Sequence, residues 1–171
     1  AQNAYKATDD WSEEFRLVRY ATDLQLQGVP SLPHNAQLTD GANNRVTILS
    51  SAAPISVDGD GRREGSVIPI RIDYQIDGAV DGELRWFVQL LNQQGEAVAQ
   101  LDTAPEDNYV SFLQLPVNQP QLERAGLLLA PELPPGQYRL IAGLYNPTAN
   151  GTRLRLADGA DFVLLSFITL Q

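Results

Sequence analysis

Cysteine and methionine are absent from the 171 residues, and histidine occurs once. Without thiols there is no disulfide, no thiolate zinc site and no cysteine nucleophile, and a cysteine-free domain is at home on either side of a membrane. An imidazole-built metal site would have a single such ligand, His34. It follows Pro33 in a stretch that reads as loop, which predicts a surface residue. Positive charge is also scarce, with 12 Lys and Arg against 21 Asp and Glu and a net charge of -9. Nucleic-acid phosphates and anionic headgroups are bound by Lys and Arg that neutralise them, so no nucleic-acid partner is expected. No apolar run approaches the roughly 20 residues of a membrane-spanning helix, since Leu127 to Ala130 and Phe162 to Leu165 are only strand-sized. The chain also lacks a Gly-x-Ser-x-Gly elbow, a Walker loop and a His-Glu-x-x-His pair. Serine-hydrolase, nucleotide and zinc-protease chemistry therefore have no support, and no catalysis is expected of this chain.

What is present describes a folded β protein. Apolar residues make up 43% and charged residues 19%, a globular rather than a disordered balance, while 13 Gly and 11 Pro imply many turns and short strands. A chain of this length buries roughly 70% of the surface its unfolded form exposes, enough for a core without staples.

The N-terminal stretch is the ambiguous one. Asp10 can cap and Glu13 can complete a capping box, with Trp11, Phe15 and Val18 on one helical face, which predicts a short helix. The same region slides into Leu24-Gln25-Leu26-Gln27, which alternates like a strand and stops at Gly28. Residues 1–28 thus read as a segment leading into one sandwich domain of residues 29–171. Val29 to Asn44 reads as a long loop, punctuated by Pro30, Pro33 and Gly41, before a strand at Arg45 to Leu49.

The clearest strand is Val67 to Ile76, where Ile68, Ile70, Ile72, Tyr74 and Ile76 share one face and Pro69 marks an edge or a strand start. Leu84, Trp86, Val88 and Leu90 alternate along the next, and Ala97 to Leu101 returns from a turn at Asn92 to Gly95. Thr103 to Ala125 reads as irregular. Short strands follow at Leu127 to Leu129, Tyr138 to Leu144, Thr152 to Leu156 and Phe162 to Leu170. About eight or nine strands at spacings near ten residues, with no helix between them, predict an all-β, immunoglobulin-like antiparallel sandwich.

Few residues suggest chemistry. Asp58, Asp60 and Glu64 could gather oxygens around calcium, because Asp-x-Asp-Gly puts two carboxylates on one side of a tight turn. Arg62 and Pro69 stand where such a loop wants an oxygen donor and an acid, so a solvated turn is the commoner reading; apart from that calcium, no cofactor is expected. Asp102, Glu106 and Asp107 are neighbours on one loop and lack the separation of a glycosidase pair. Trp86 alternates with Leu84 and Val88 and is expected in the core. Tyr109, Phe112 and Trp11 lie in or beside irregular chain and are the candidates for ligand contact.

Three segments carry a family resemblance. They are Arg85 to Gly95 with Val98 to Asp102, then Leu133-Pro134-Pro135-Gly136-Gln137-Tyr138-Arg139-Leu140, then Ala142-Gly143-Leu144-Tyr145-Asn146-Pro147-Thr148 leading to Arg153-Leu154. Read together they resemble the soluble C-terminal domain of bacterial membrane glycosyltransferases of the protein-mannosyltransferase type, which use lipid-phosphate-linked sugars. The resemblance covers residues 84–156. It implies a non-catalytic accessory domain outside the cytoplasm, packed against the membrane-embedded part of the same protein and helping to engage acceptor or glycan. Catalysis would belong to that other part, and tethering to a region preceding Ala1. The alternative is a freestanding secreted or surface module that recognises carbohydrate or protein.

Overall fold

The computed structural model describes residues 4–12, 15–22, 26–57 and 66–171. The first two strands, β1 (Ala4–Ser12) and β2 (Phe15–Thr22), form an antiparallel hairpin where the sequence predicted a short helix. A two-stranded ribbon satisfies its backbone by pairing with itself, and the local capping signal at Asp10 and Glu13 is overridden. Leu26 likewise belongs to a turn, closed by Val29 N–H donating to the Leu26 carbonyl at 3.1 Å, rather than to a strand.

Next come β3 (Leu32–Thr39), β4 (Arg45–Ala52), the two-residue β5 (Ser56–Val57), β6 (Val67–Ile76), β7 (Arg85–Leu91) and β8 (Ala97–Thr103). A single turn, α1 (Pro105–Asn108), and a 3-10 turn at Phe112–Gln114 lead to β9 (Pro120–Leu128), β10 (Gly136–Asn146), β11 (Thr152–Arg153) and β12 (Val163–Leu170). The expected loop at 29–44 thus contains β3, which tolerates Pro33 because it is an edge strand with only β4 beside it. The irregular reading of 103–125 is also corrected at its end, since β9 begins at Pro120.

Two sheets face each other. One has the order β3-β4-β6-β9; the other runs β5-β12-β10-β7-β8, with β11 paired to β10. Among the described residues every pairing is antiparallel except β5 with β12, and the fold is an all-β sandwich. Its core is the alternating inward set the sequence advertised: Ile68, Ile70, Ile72, Tyr74 and Ile76 from β6 meet Trp86, Val88 and Leu90 from β7 and Leu140, Ala142 and Leu144 from β10. The chain changes sheets at Pro54, between the end of β4 and the start of β5. Pro69 costs β6 no bond to β4, because that pairing ends at Arg71 and only β9 runs alongside it.

Two close approaches fix how the layers sit. The N-terminal hairpin lies over β9 and β6 at Gly126, where an added Cβ would stand 2.7 Å from the carbonyl oxygens of Tyr5 and Lys6. On the far face of the other sheet the Phe87 ring lies on Gly143, and the Arg153 guanidinium stacks over that ring at 4.1 Å while pairing with Asp161 at 3.2 Å. Tyr138 closes the turn before β10 by donating its hydroxyl to the Pro134 carbonyl at 2.7 Å.

Gly143→Ala drives a methyl into the Phe87 ring and to within 2.8 Å of the Asp161 carbonyl oxygen. An overpacking loss of about 1–3 kcal/mol in urea-unfolding stability is expected. A loss below about 0.5 kcal/mol would mean that the ring does not rest on Gly143.

Candidate functional site

The end of the sandwich between β8 and β9 gathers the groups whose environments depart most from the ordinary. Residues 104–119 leave the edge of one sheet and return to the edge of the other, so their backbone must be satisfied locally. Asn108 does part of this: its Oδ1 accepts the Ala104 N–H at 2.9 Å, and its own N–H donates to the Ala104 carbonyl at 3.1 Å. Within α1, Glu106, Asp107 and Asn108 stand at φ of 51, 61 and 67°. Three consecutive non-glycine residues in the left-handed region are strained and persist only where neighbours hold them. Ser111 then caps the 3-10 turn, with a reciprocal bond from Ser111 N–H to Gln114 Oε1 at 3.0 Å.

That capped turn delivers Phe112 inward. Its ring lies 5.9 Å from both Tyr74 and Trp86, and those two meet edge to face at 5.1 Å. Phe112 is 1% exposed, so its expected role as a surface contact is corrected: it is a core residue that seals the sandwich end. Trp86 is fully buried, as its alternation predicted. Tyr109 stands out 77% exposed, with Leu113 at 56% and Val117 at 40% on the same segment. Trp11 lies in β1, its side chain outside the described residues, and so do Asp58, Asp60 and Glu64 entirely. Among the described residues no three His, Asp or Glu side chains gather as a metal cluster.

Sequence reasoning missed Glu123. It lies on the inward face of β9 with Ala125 and Leu127, is 1% exposed, and accepts the backbone N–H groups of Glu106 and Arg124. Its Oε2 has no hydrogen-bond partner among the described residues, and neither does the buried Trp86 Nε1. The carboxyl is pushed up to about 8, first by burial and then by the charges of Asp107 and Glu106, against the downward pull of the two N–H bonds. Tyr74 is raised by burial and then by the Glu123 and Glu106 charges. One signal was available, an acid in step with Ala125 and Leu127 at strand spacing, but it only counts once β9 is known to begin at Pro120.

Two other polar groups have partners. His34 sits in β3 rather than a loop, half-buried, its Nε2 2.8 Å from Ser51 Oγ, with burial lowering its affinity for a proton. At the same end of the sandwich as residues 104–119, buried Asn44 ties two loops together through the Asp81 N–H at 2.9 Å and the Asp81 carbonyl at 3.1 Å. On the outer face of the larger sheet the Asp102 and Tyr145 side chains share a hydrogen bond. Comparison of the chain with known protein families and with curated proteins finds no match.

Phe112 and Tyr109, three residues apart, are expected to behave oppositely. Phe112→Ala should lower unfolding free energy by about 3–5 kcal/mol, whereas Tyr109→Ala should change it by less than about 0.5 kcal/mol. Equal losses in a denaturant titration would refute the division into a sealing ring and a displayed one.

Proposed function

We propose that this chain is a non-catalytic, immunoglobulin-like accessory domain that acts outside the cytoplasm as part of a membrane glycosyltransferase-like protein. In that role it meets the membrane-embedded part, an acceptor or a glycan through the 104–119 segment. The observation that carries the contact surface is the exposure of three large apolar side chains, Tyr109, Leu113 and Val117, on one segment whose own Phe112 is locked in the core. Large apolar side chains exposed on a rigidly anchored loop are what recognition surfaces offer, with little ordering left to do on binding.

The immunoglobulin-like part of the reading is supported by connection order. Strands β4, β6 and β9 correspond to A, B and E, and β7, β8, β10 and β12 to C, C′, F and G. Trp86 then falls on strand C, where such domains bury a Trp, and Tyr138 at the start of F makes the backward hydroxyl bond of a tyrosine corner. Leu140, two residues on, occupies the place of the F-strand cysteine in antibody domains. The segments that carry the glycosyltransferase resemblance are β7, β8 and β10, the centre of the larger sheet, and their signature residues do packing work there. Gly143 receives Phe87, Tyr138 bonds Pro134, and Asp102 bonds Tyr145.

An antibody to the domain, used on fractionated cells, tests the reading. The native protein should run far above 18.7 kDa and leave the membrane only with detergent. A small product released without detergent would overturn it in favour of the freestanding module. In the full-length protein, Tyr109→Ala combined with Leu113→Ala should lower sugar transfer while leaving the amount of protein unchanged. Transfer equal to the unsubstituted protein would remove these side chains from that role.

A further inference from the structure

Glu123 is connected to more of the molecule than a buried side chain usually is. The N–H it accepts from Glu106 belongs to the strained left-handed turn, and the next residue of that turn, Asp107, pairs with Lys6 of the N-terminal hairpin at 3.0 Å. Three residues along β9 from Glu123, Gly126 takes the backbone of the same hairpin at Tyr5 and Lys6. The carboxyl, the turn and the hairpin are therefore stacked in series along the edge at β9.

We propose that Glu123 is a proton-dependent latch: protonated, it holds the 105–108 turn, and through Asp107 the N-terminal hairpin, on the edge of the sandwich, and on ionising it lets both go. The geometry gives the reason. A neutral carboxyl can stay in this interior with one oxygen unpartnered, but a charged one needs more than the two backbone N–H groups that reach it. The charged and titratable groups around it do not help. From β6 it faces Tyr74, a neutral hydroxyl at these pH values, and from α1 it faces Glu106 and Asp107, both of its own sign. Lys6 of β1 is engaged with Asp107, and Arg124 on β9 alternates to the opposite face, where it pairs in register with Arg71. On the neighbouring sheet Asp102 and Arg85 group with Tyr145 on the outer face, away from the core.

Freeing the turn relieves its left-handed strain and lets water reach the carboxylate, so the open form is the one that ionises easily. The sign follows. The closed form keeps its proton up to about 8, and the open form releases it from about the ordinary 4.5. Across that window each pH unit favours opening by up to about tenfold, and above it the dependence levels off. This device does not depend on what the 104–119 segment binds.

Hydrogen exchange followed by mass spectrometry on the intact chain tests the latch, with protection factors removing the exchange chemistry's own pH dependence. Between pH 5 and 8, protection of the segments around 104–108 and 4–12 should fall by up to about tenfold per unit while the amides of β6 keep theirs. Glu123→Gln should flatten this dependence at the closed level. Glu106→Gln, an exposed site, should bring the levelling-off to lower pH by removing one repelling charge. The proposal is overturned by protection that does not change with pH, by the same dependence surviving in Glu123→Gln, or by β6 losing protection in step with the turn.

Discussion

The contact among Tyr74, Trp86 and Phe112 is the one on which the rest of the structure depends. Each ring comes from a different part of the chain: one from the centre of the four-stranded sheet, one from the facing sheet, and one from the segment that crosses between them. Aromatic side chains bury the largest areas of any residue, and edge-to-face geometry adds to what area alone supplies. Seating Phe112 requires the crossing segment to be ordered, which accounts for the reciprocal Ser111 and Gln114 cap and the Asn108 bonds to Ala104. Once that segment is pinned from inside, Tyr109, Leu113 and Val117 are left facing water. Their display is in this sense a consequence of the seal.

The same crossing brings in the strained part of the molecule. Between β8 and the 3-10 turn the chain must reverse within a few residues, and it does so through three left-handed, non-glycine positions. Their backbone is held by Asn108, by the Lys6 pair and by a buried carboxyl that burial keeps mostly neutral near pH 7. A sandwich whose interior is mostly aliphatic and aromatic thus carries a buried acid at the edge where the hairpin, the turn and β9 meet. That position couples local order to protonation without touching the bulk of the core, because Ile68 and Ile70, opposite Leu127 and Ala125, pack farther along the sheets.

How much of this could be read from residues alone follows a physical rule. Strands buried on one face announced themselves by alternation, and β6, β7 and β10 were legible together with the core position of Trp86. Gly143, a glycine inside an alternating strand, sits where another group presses on the backbone, here the Phe87 ring. The N-terminal hairpin was not, since its capping and periodic signals are local and its pairing is decided by docking at Gly126. The edge strand β3 was hidden by Pro33 and by Pro30 just before it; a strand with one free side accepts such a proline. Phe112 was lost because its burial comes from where the irregular segment travels, and no periodicity encodes a path; Glu123 was lost because the start of β9 was read as irregular, which hid its step with Ala125 and Leu127. Tyr109 was readable as a contact candidate, since an aromatic residue in irregular chain either seals or is displayed, but sequence could not say which of the two neighbouring rings did which.

Proton nuclear Overhauser contacts of the Trp86 indole, assigned against a Trp11→Phe chain, measure the central contact most directly. Cross-peaks from Trp86 to the rings of both Tyr74 and Phe112 are expected, with an indole N–H that exchanges slowly with solvent. Contacts to Tyr74 without any to Phe112, together with a rapidly exchanging indole N–H, would contradict this, because the crossing segment would then not seal the sandwich.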